Sequence, residues 1–127
     1  MNNLNSVLIG GNLTQDPQCN TLASGKHVCK FNLASNRYYR NSEKELTQDV
    51  VFIDVETWDD LALTCGEHLT KGLKVRVIGR LKLDRWQDEE GKNREKMRIV
   101  AEHVEFKVAD KEIIVEEKKG KTKKQNN

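Results

Sequence analysis

The chain has 127 residues, of which 36% are hydrophobic and 33% charged, with eight glycines, one proline and a formal net charge of +2. That length suits one domain with a short appendage and a lean core, and the glycine and proline usage favours short strands and tight turns over a helical bundle. Three cysteines, Cys19, Cys29 and Cys65, are too few and too irregularly spaced for a disulfide framework, no stretch approaches a membrane span, and the near-neutral balance does not by itself mark a nucleic-acid binder.

Leu4 to Leu13 reads as a first strand, with Val7 and Ile9 on one face and Gly10-Gly11 marking a bulge or a close backbone approach. Asp16-Pro17 turns the chain. Gln18 to Leu22 and His27 to Ser35 then form a hairpin around Ser24-Gly25-Lys26, with Cys29, Phe31 and Leu33 facing one way. Arg40 to Glu45 carries charge without apolar periodicity and reads as a solvated loop. Alternation returns from Val50 to Trp58: Val51, Ile53 and Val55 take the core face, and Phe52, Asp54, Glu56 and Trp58 take the other. Asp59 or Asp60 caps a helix whose buried stripe is Leu61, Cys65 and Leu69 and whose stop is Gly72. Leu73 to Gln87 alternates again, Asp88 to Lys92 turns, and Asn93 to Phe106 is the last long strand.

Residues 1–106 therefore form the expected domain, and 107–127 a basic tail. Ile113-Ile114-Val115 can pair briefly with an edge, but Lys118 to Asn127 holds five Lys and no large apolar residue, so disorder is expected there. From Lys107 onward seven Lys face four acids, which leaves 15 basic and 16 acidic side chains in residues 1–106. A polyanion would have to meet the folded part at a local patch. Strands in sequence with one helix after the third long strand predict an all-β fold closed into a small barrel, since closure removes exposed edges. The five-stranded OB-fold places its helix at that point and binds oligonucleotides across one face.

Phe52 and Trp58 stand among carboxylates on the face that should meet water, and large apolar groups left there need a partner. Bases are one such partner, because each offers a π-face to an exposed ring. Between Leu73 and Trp86 the odd positions hold Leu73, Val75, Val77, Leu81 and Leu83, while the even ones hold Lys74, Arg76, Arg80, Lys82 and Trp86, with Ile78 and Asp84 interrupting and Arg85 beside the indole. Cations that replace counterions along phosphates thus share a face with a flat ring on which bases stack. Arg37-Tyr38-Tyr39-Arg40 adds two phenols between two guanidiniums. Each piece has a plainer explanation: core or interface packing for Phe52 or Trp58, a solvated face for the Lys and Arg, a loop anchor for the tyrosines. Together they point to single-stranded nucleic acid without a base-edge code. Asp54 and Glu56 would repel phosphate, so the strand's backbone is expected along the Lys and Arg side.

His27, Cys29, Cys65 and His68 invite a zinc reading, but Cys29 lies on a strand's apolar face and Cys65 on a helix's apolar stripe, so neither a metal nor a cofactor is expected. Asp59-Asp60 reads as a helix cap rather than a catalytic acid and base pair, and no Ser/His/Asp or phosphate-loop signature occurs. No enzyme is expected. The amino end has no cationic region followed by a long apolar run, so no secretory signal is expected and a reducing cytoplasm is the simplest setting.

Asn5-Ser6-Val7-Leu8-Ile9-Gly10-Gly11-Asn12-Leu13-Thr14-Gln15-Asp16-Pro17 resembles the opening of the bacterial-type single-stranded DNA-binding proteins, in which a first strand runs into GNL, two residues, then DP. Phe31 to Ser35, the segment ending at Trp58, Leu69 to Val75, Ile78 to Leu81 and Arg85 to Asp88 follow in that family's order and spacing, over residues 4 to about 106. The resemblance implies an OB-fold that assembles as a homotetramer and wraps single-stranded DNA in replication, recombination and repair. It implies stacking roles for Tyr39, Phe52, Trp58 and Trp86, with Arg37, Arg40, Lys74, Arg76, Arg80, Lys82 and Arg85 as candidate phosphate contacts. Many members have Trp where this chain has Tyr39 and Phe52, and Phe where it has Trp58. Bacterial members typically recruit replication and repair enzymes through an acidic tip ending in Pro-Phe; this chain ends in Lys-rich sequence, so docking through such a tip is not expected. The alternative reading is an OB-type primosomal or replication accessory module that acts mainly through protein contacts.

Overall fold

The computed structural model describes residues 2–117. Its elements are β1 (Val7–Leu13), β2 (Gln18–Thr21), β3 (His27–Arg40), β4 (Leu46–Trp58), α1 (Asp59–His68), β5 (Lys74–Gln87), β6 (Asn93–Val108) and β7 (Lys111–Glu116). β1, β5, β6, β4 and β3 are hydrogen-bonded in that order, and β1 also pairs with β3, which closes a five-stranded barrel. The helix sits between the third and fourth barrel strands. This is the expected OB-fold. All pairings are antiparallel except β4 with β6.

Alternation supplies the core: Cys29, Phe31 and Leu33 from β3, Val55 from β4, Val75 and Val77 from β5, and Ile99, Ala101, Val104 and Phe106 from β6 are buried together. Leu61 and Cys65 of α1 close one end, with Leu69 just beyond the helix. Two glycines let the strands approach closely enough to shut the barrel. A Cβ on Gly11 would lie 2.4 Å from the Ala34 carbonyl oxygen, and one on Gly79 would lie 2.2 Å from that of Val100, beside the bulge at Ile78/Gly79.

Several element bounds differ from those the sequence predicts. β1 begins at Val7 rather than Leu4, because the side-chain amide of Asn5 takes over the ladder: its Nδ2 donates to the Leu81 carbonyl at 3.0 Å and its Oδ1 accepts from the Leu81 N–H at 3.0 Å. The helix is capped by Trp58 without a side-chain hydrogen bond. Asp59 and Asp60 occupy its first turn instead, where the helix dipole favours negative charge. It ends at His68, since the Leu69 N–H already returns to the Cys65 carbonyl and Gly72, at φ +89°, belongs to the turn that enters β5. Val51, placed in the core by alternation, is 54% exposed because β4 has by then left the barrel.

β3 and β4 pair from Val28 with Trp58 out to Arg40 with Leu46, so β3 runs on past Ser35 and β4 starts before Val50, while the turn between them falls within the stretch read as a solvated loop. β5 and β6 pair out to Gln87 with Asn93. Both hairpins project past the barrel as arms. At the carboxyl side, Lys107 and Val108 finish β6, and the edge pairing read at Ile113-Ile114-Val115 is present as β7, whose Ile113 and Val115 pack against the core, so folded structure extends past Phe106. The Lys118 to Asn127 tail lies outside the described residues.

Candidate nucleic-acid interface

The last paired residues of β4 and β6 are Asp54 and Arg98, and beyond them the two arms diverge. Arg98 also stands opposite Lys82 of β5, so Asp54, Arg98 and Lys82 form one lateral row on the outer face. Alternation along each strand then puts Phe52, Glu56 and Trp58 of β4 on that face, with Lys96 and Arg94 of β6 and Asp84 and Trp86 of β5. Phe52 is 62% exposed opposite the small Ala34, and Trp86 is 48% exposed opposite Arg94. Two rings on separate arms thus overlook a common strip.

The carboxylates of this strip are spoken for. Asp54 Oδ2 lies 2.5 Å from Lys96 Nζ, and its Oδ1 accepts from Asn32 Nδ2 at 2.9 Å. Partial burial alone would raise the Asp54 carboxyl, but the Lys96 and Asn32 hydrogen bonds outweigh it and hold the group below its ordinary range. Glu56, only 2% exposed, has Oε2 2.8 Å from Arg98 Nε and Oε1 accepting from the Trp58 indole N–H at 2.5 Å. The Arg98 Nε–H is not aimed at Oε2, so that contact is a charge pair rather than a hydrogen bond. Arg98 Nη1 bonds Asp84 Oδ2. Asn32, Asp54, Glu56, Asp84, Lys96 and Arg98 line a cavity of about 320 Å³ that the β1–β2 connection also borders, and Trp58 stands outside it.

Of the four stacking candidates, Phe52, Trp58 and Trp86 share this face. Trp58 is half-buried. Tyr39 lies on the reverse of the β3–β4 arm with Arg37, whose Cζ sits 5.0 Å from its ring centroid, whereas Tyr38, 62% exposed, is on the Phe52 side. Among the candidate phosphate contacts, Lys82 belongs to the strip, and Lys74 and Lys82 carry no ion pair among the described residues. Arg76, Arg80 and Arg85 are paired with Glu105 at 3.6 Å, Glu102 at 3.2 Å and Glu95 at 3.5 Å. Arg76 stands ten residues from Trp86, about 33 Å along an extended strand. Arg40 donates to the Lys44 carbonyl at 2.9 Å within the arm's turn. The sequence pattern overlooked Arg94, Lys96 and Arg98, because their relevance rests on β6 lying beside β4, which no local spacing reveals.

The cysteines take no part in this face. Cys29 and Cys65 are buried in the core, and Cys19 is exposed on β2 directly opposite Cys29. Among the described residues no group of three or more His, Cys, Asp or Glu is arranged to hold a metal. No helix among them is long and apolar enough to cross a membrane.

The closed barrel agrees with what the chain matches. Residues 4–107 match the Single-strand binding protein family, and the chain belongs to it. It is 36% identical over 107 residues to "Single-stranded DNA-binding protein 2" of Chlorobaculum tepidum, covering 84% of this chain and 72% of that one. To the "Single-stranded DNA-binding protein" of Aquifex aeolicus it is 42% identical over 101 residues, 80% of this chain and 68% of the relative. With that of Helicobacter hepaticus it shares 37% identity over 102 residues, 80% of this chain but only 60% of the relative's length.

Proposed function

We propose that this protein binds single-stranded DNA with little sequence preference and performs no catalysis. Bases stack on Phe52, Trp58 and Trp86, with Tyr39 engaged from the reverse of the β3–β4 arm, and phosphates follow Lys82 and the Lys and Arg side chains of the arms. The observation that carries this reading is the exposure of Phe52 and Trp86 on one face, over a strip in which Asp54 is paired with Lys96 while Glu56 and Asp84 share Arg98. Those pairs weaken the repulsion that Asp54 and Glu56 would otherwise exert on phosphate. Stacking is worth about 1–3 kcal/mol per engaged base, and counterion release makes affinity fall with salt.

The family resemblance supports assembly as a homotetramer that wraps DNA in replication, recombination and repair, within the cytoplasm. Exposed Leu4 and Leu8 offer apolar surface for contacts between copies. Several grooves on one particle let affinity rise with oligonucleotide length.

Intrinsic Trp fluorescence titrated with oligothymidine and with duplex DNA tests the proposal. Strong quenching by the single strand alone is expected, and replacing Trp58 and Trp86 with Ala should weaken binding more than deleting residues 118–127. No quenching at low salt would instead favour the accessory module that works through protein contacts. The mass in solution distinguishes tetramer from monomer or dimer.

A further inference from the structure

Glu56 occupies a position where a carboxylate is costly. It is buried at the end of a barrel strand, and an ionised group there is tolerated only when paired. Replacing a buried ion pair with apolar side chains of similar volume is often neutral or stabilising, so the pair with Arg98 is weak grounds for a stability role. Its geometry suggests a different task. One Glu56 oxygen holds the Trp58 indole N–H at 2.5 Å, while the other faces Arg98 on the neighbouring strand. Arg98 in turn bonds Asp84, two residues before Trp86 on β5 and on the same face.

We propose that Glu56 is a positioning residue for single-strand binding, orienting the Trp58 ring, and that Arg98 ties this orientation to the β5 arm that carries Trp86. This rests on the DNA-binding reading above. A strand-end indole without a partner samples several rotamers, and each unproductive one reduces stacking with an incoming base. With its N–H held by Glu56, the indole has no donor left for a base edge. Contact at Trp58 is then stacking alone, which tolerates any sequence.

The test is a double-mutant cycle read by oligothymidine titration. Glu56→Val removes the acceptor with a side chain suited to a buried strand. It should weaken binding about fivefold, the lower end of one base's stacking. Glu56→Gln keeps an acceptor oxygen and should restore most of the loss. In a Trp58→Phe background the ring remains but the N–H is gone, so Glu56→Val should cost less than twofold there, with quenching read at Trp86. An equal loss from Glu56→Val in both backgrounds would show that Glu56 acts independently of the indole and would overturn the proposal. So would unchanged affinity in Glu56→Val with Trp58 present. Absence of quenching in the unsubstituted chain would remove the DNA-binding reading itself, and this proposal with it. Retention of the far-ultraviolet circular dichroism in each variant excludes unfolding as the cause, and the Gln variant keeps the comparison available if the Val variant does not fold.

Discussion

Lys96 Nζ lies 2.5 Å from Asp54 Oδ2, bridging β6 and β4 where the two arms part. The pair neutralises a carboxylate between Phe52 and Glu56, but it also occupies a cation that phosphate would otherwise use. Asp54→Asn should therefore tighten oligothymidine binding at low salt by roughly threefold and steepen the salt dependence by about 0.7 in log–log slope, the value of one added phosphate contact on a single strand. Titration at several salt concentrations measures both. Weaker binding by the Asn variant at every salt concentration would mean that the pair serves the site by shape rather than by charge.

The same carboxylate sets an acid limit. Hydrogen bonds from Lys96 and Asn32 hold the Asp54 pKa below its ordinary 3.8 in the folded protein, although burial opposes them. A depressed carboxylate contributes stability that is complete above the unfolded value and is lost as pH falls through the folded one. Tm should thus be insensitive to Asp54 between pH 5 and pH 7, in the sense of about constant difference between wild type and Asp54→Asn, and that difference should shrink below about pH 4. A difference that grows on acidification would contradict the assignment.

Thiol reactivity should separate the three cysteines. Burial, reinforced by the nearby Cys19, pushes the Cys29 thiol far up, and burial raises Cys65 to about 12, while Cys19 is exposed. Only the thiolate reacts quickly. In native protein at neutral pH iodoacetamide should label Cys19 alone, and all three should react once guanidinium unfolds the barrel, with intact and peptide masses as the measure. Rapid native labelling of Cys65 would mean that α1 opens locally.

Much of the fold was legible because its residues obey local periods. Val75 and Val77, Cys29, Phe31 and Leu33, and the stripe Leu61, Cys65 and Leu69 all fall where alternation or helical spacing places them. Val51 was misplaced because alternation shows which face a residue takes but not where a strand leaves the barrel. The candidate site is legible in its rings and less so in its charges. Phe52, Trp58 and Trp86 announce themselves as aromatics at polar positions, whereas Arg98 gains its meaning from Glu56 and Asp84 on two other strands. That relationship needs the parallel β4–β6 register, which joins residues more than forty positions apart.

Tyr39 provides a test of the strand's path. Register places it on the reverse of the β3–β4 arm from Phe52, so a strand that stacks on both must pass over the arm's edge. Short oligonucleotides confined to the Phe52 and Trp86 side should then be insensitive to Tyr39→Ala, while Phe52→Ala weakens them by about 1–3 kcal/mol if one base is engaged. As length increases and the strand rounds the arm, the Tyr39→Ala penalty should emerge, because the added nucleotides bind at a high effective concentration only when the ring awaits them. Fluorescence titrations across a series of oligothymidine lengths measure this directly. A Tyr39→Ala penalty of equal size at every length would place Tyr39 in the same short groove as Phe52, and would require the arm to twist enough to bring both rings to one side.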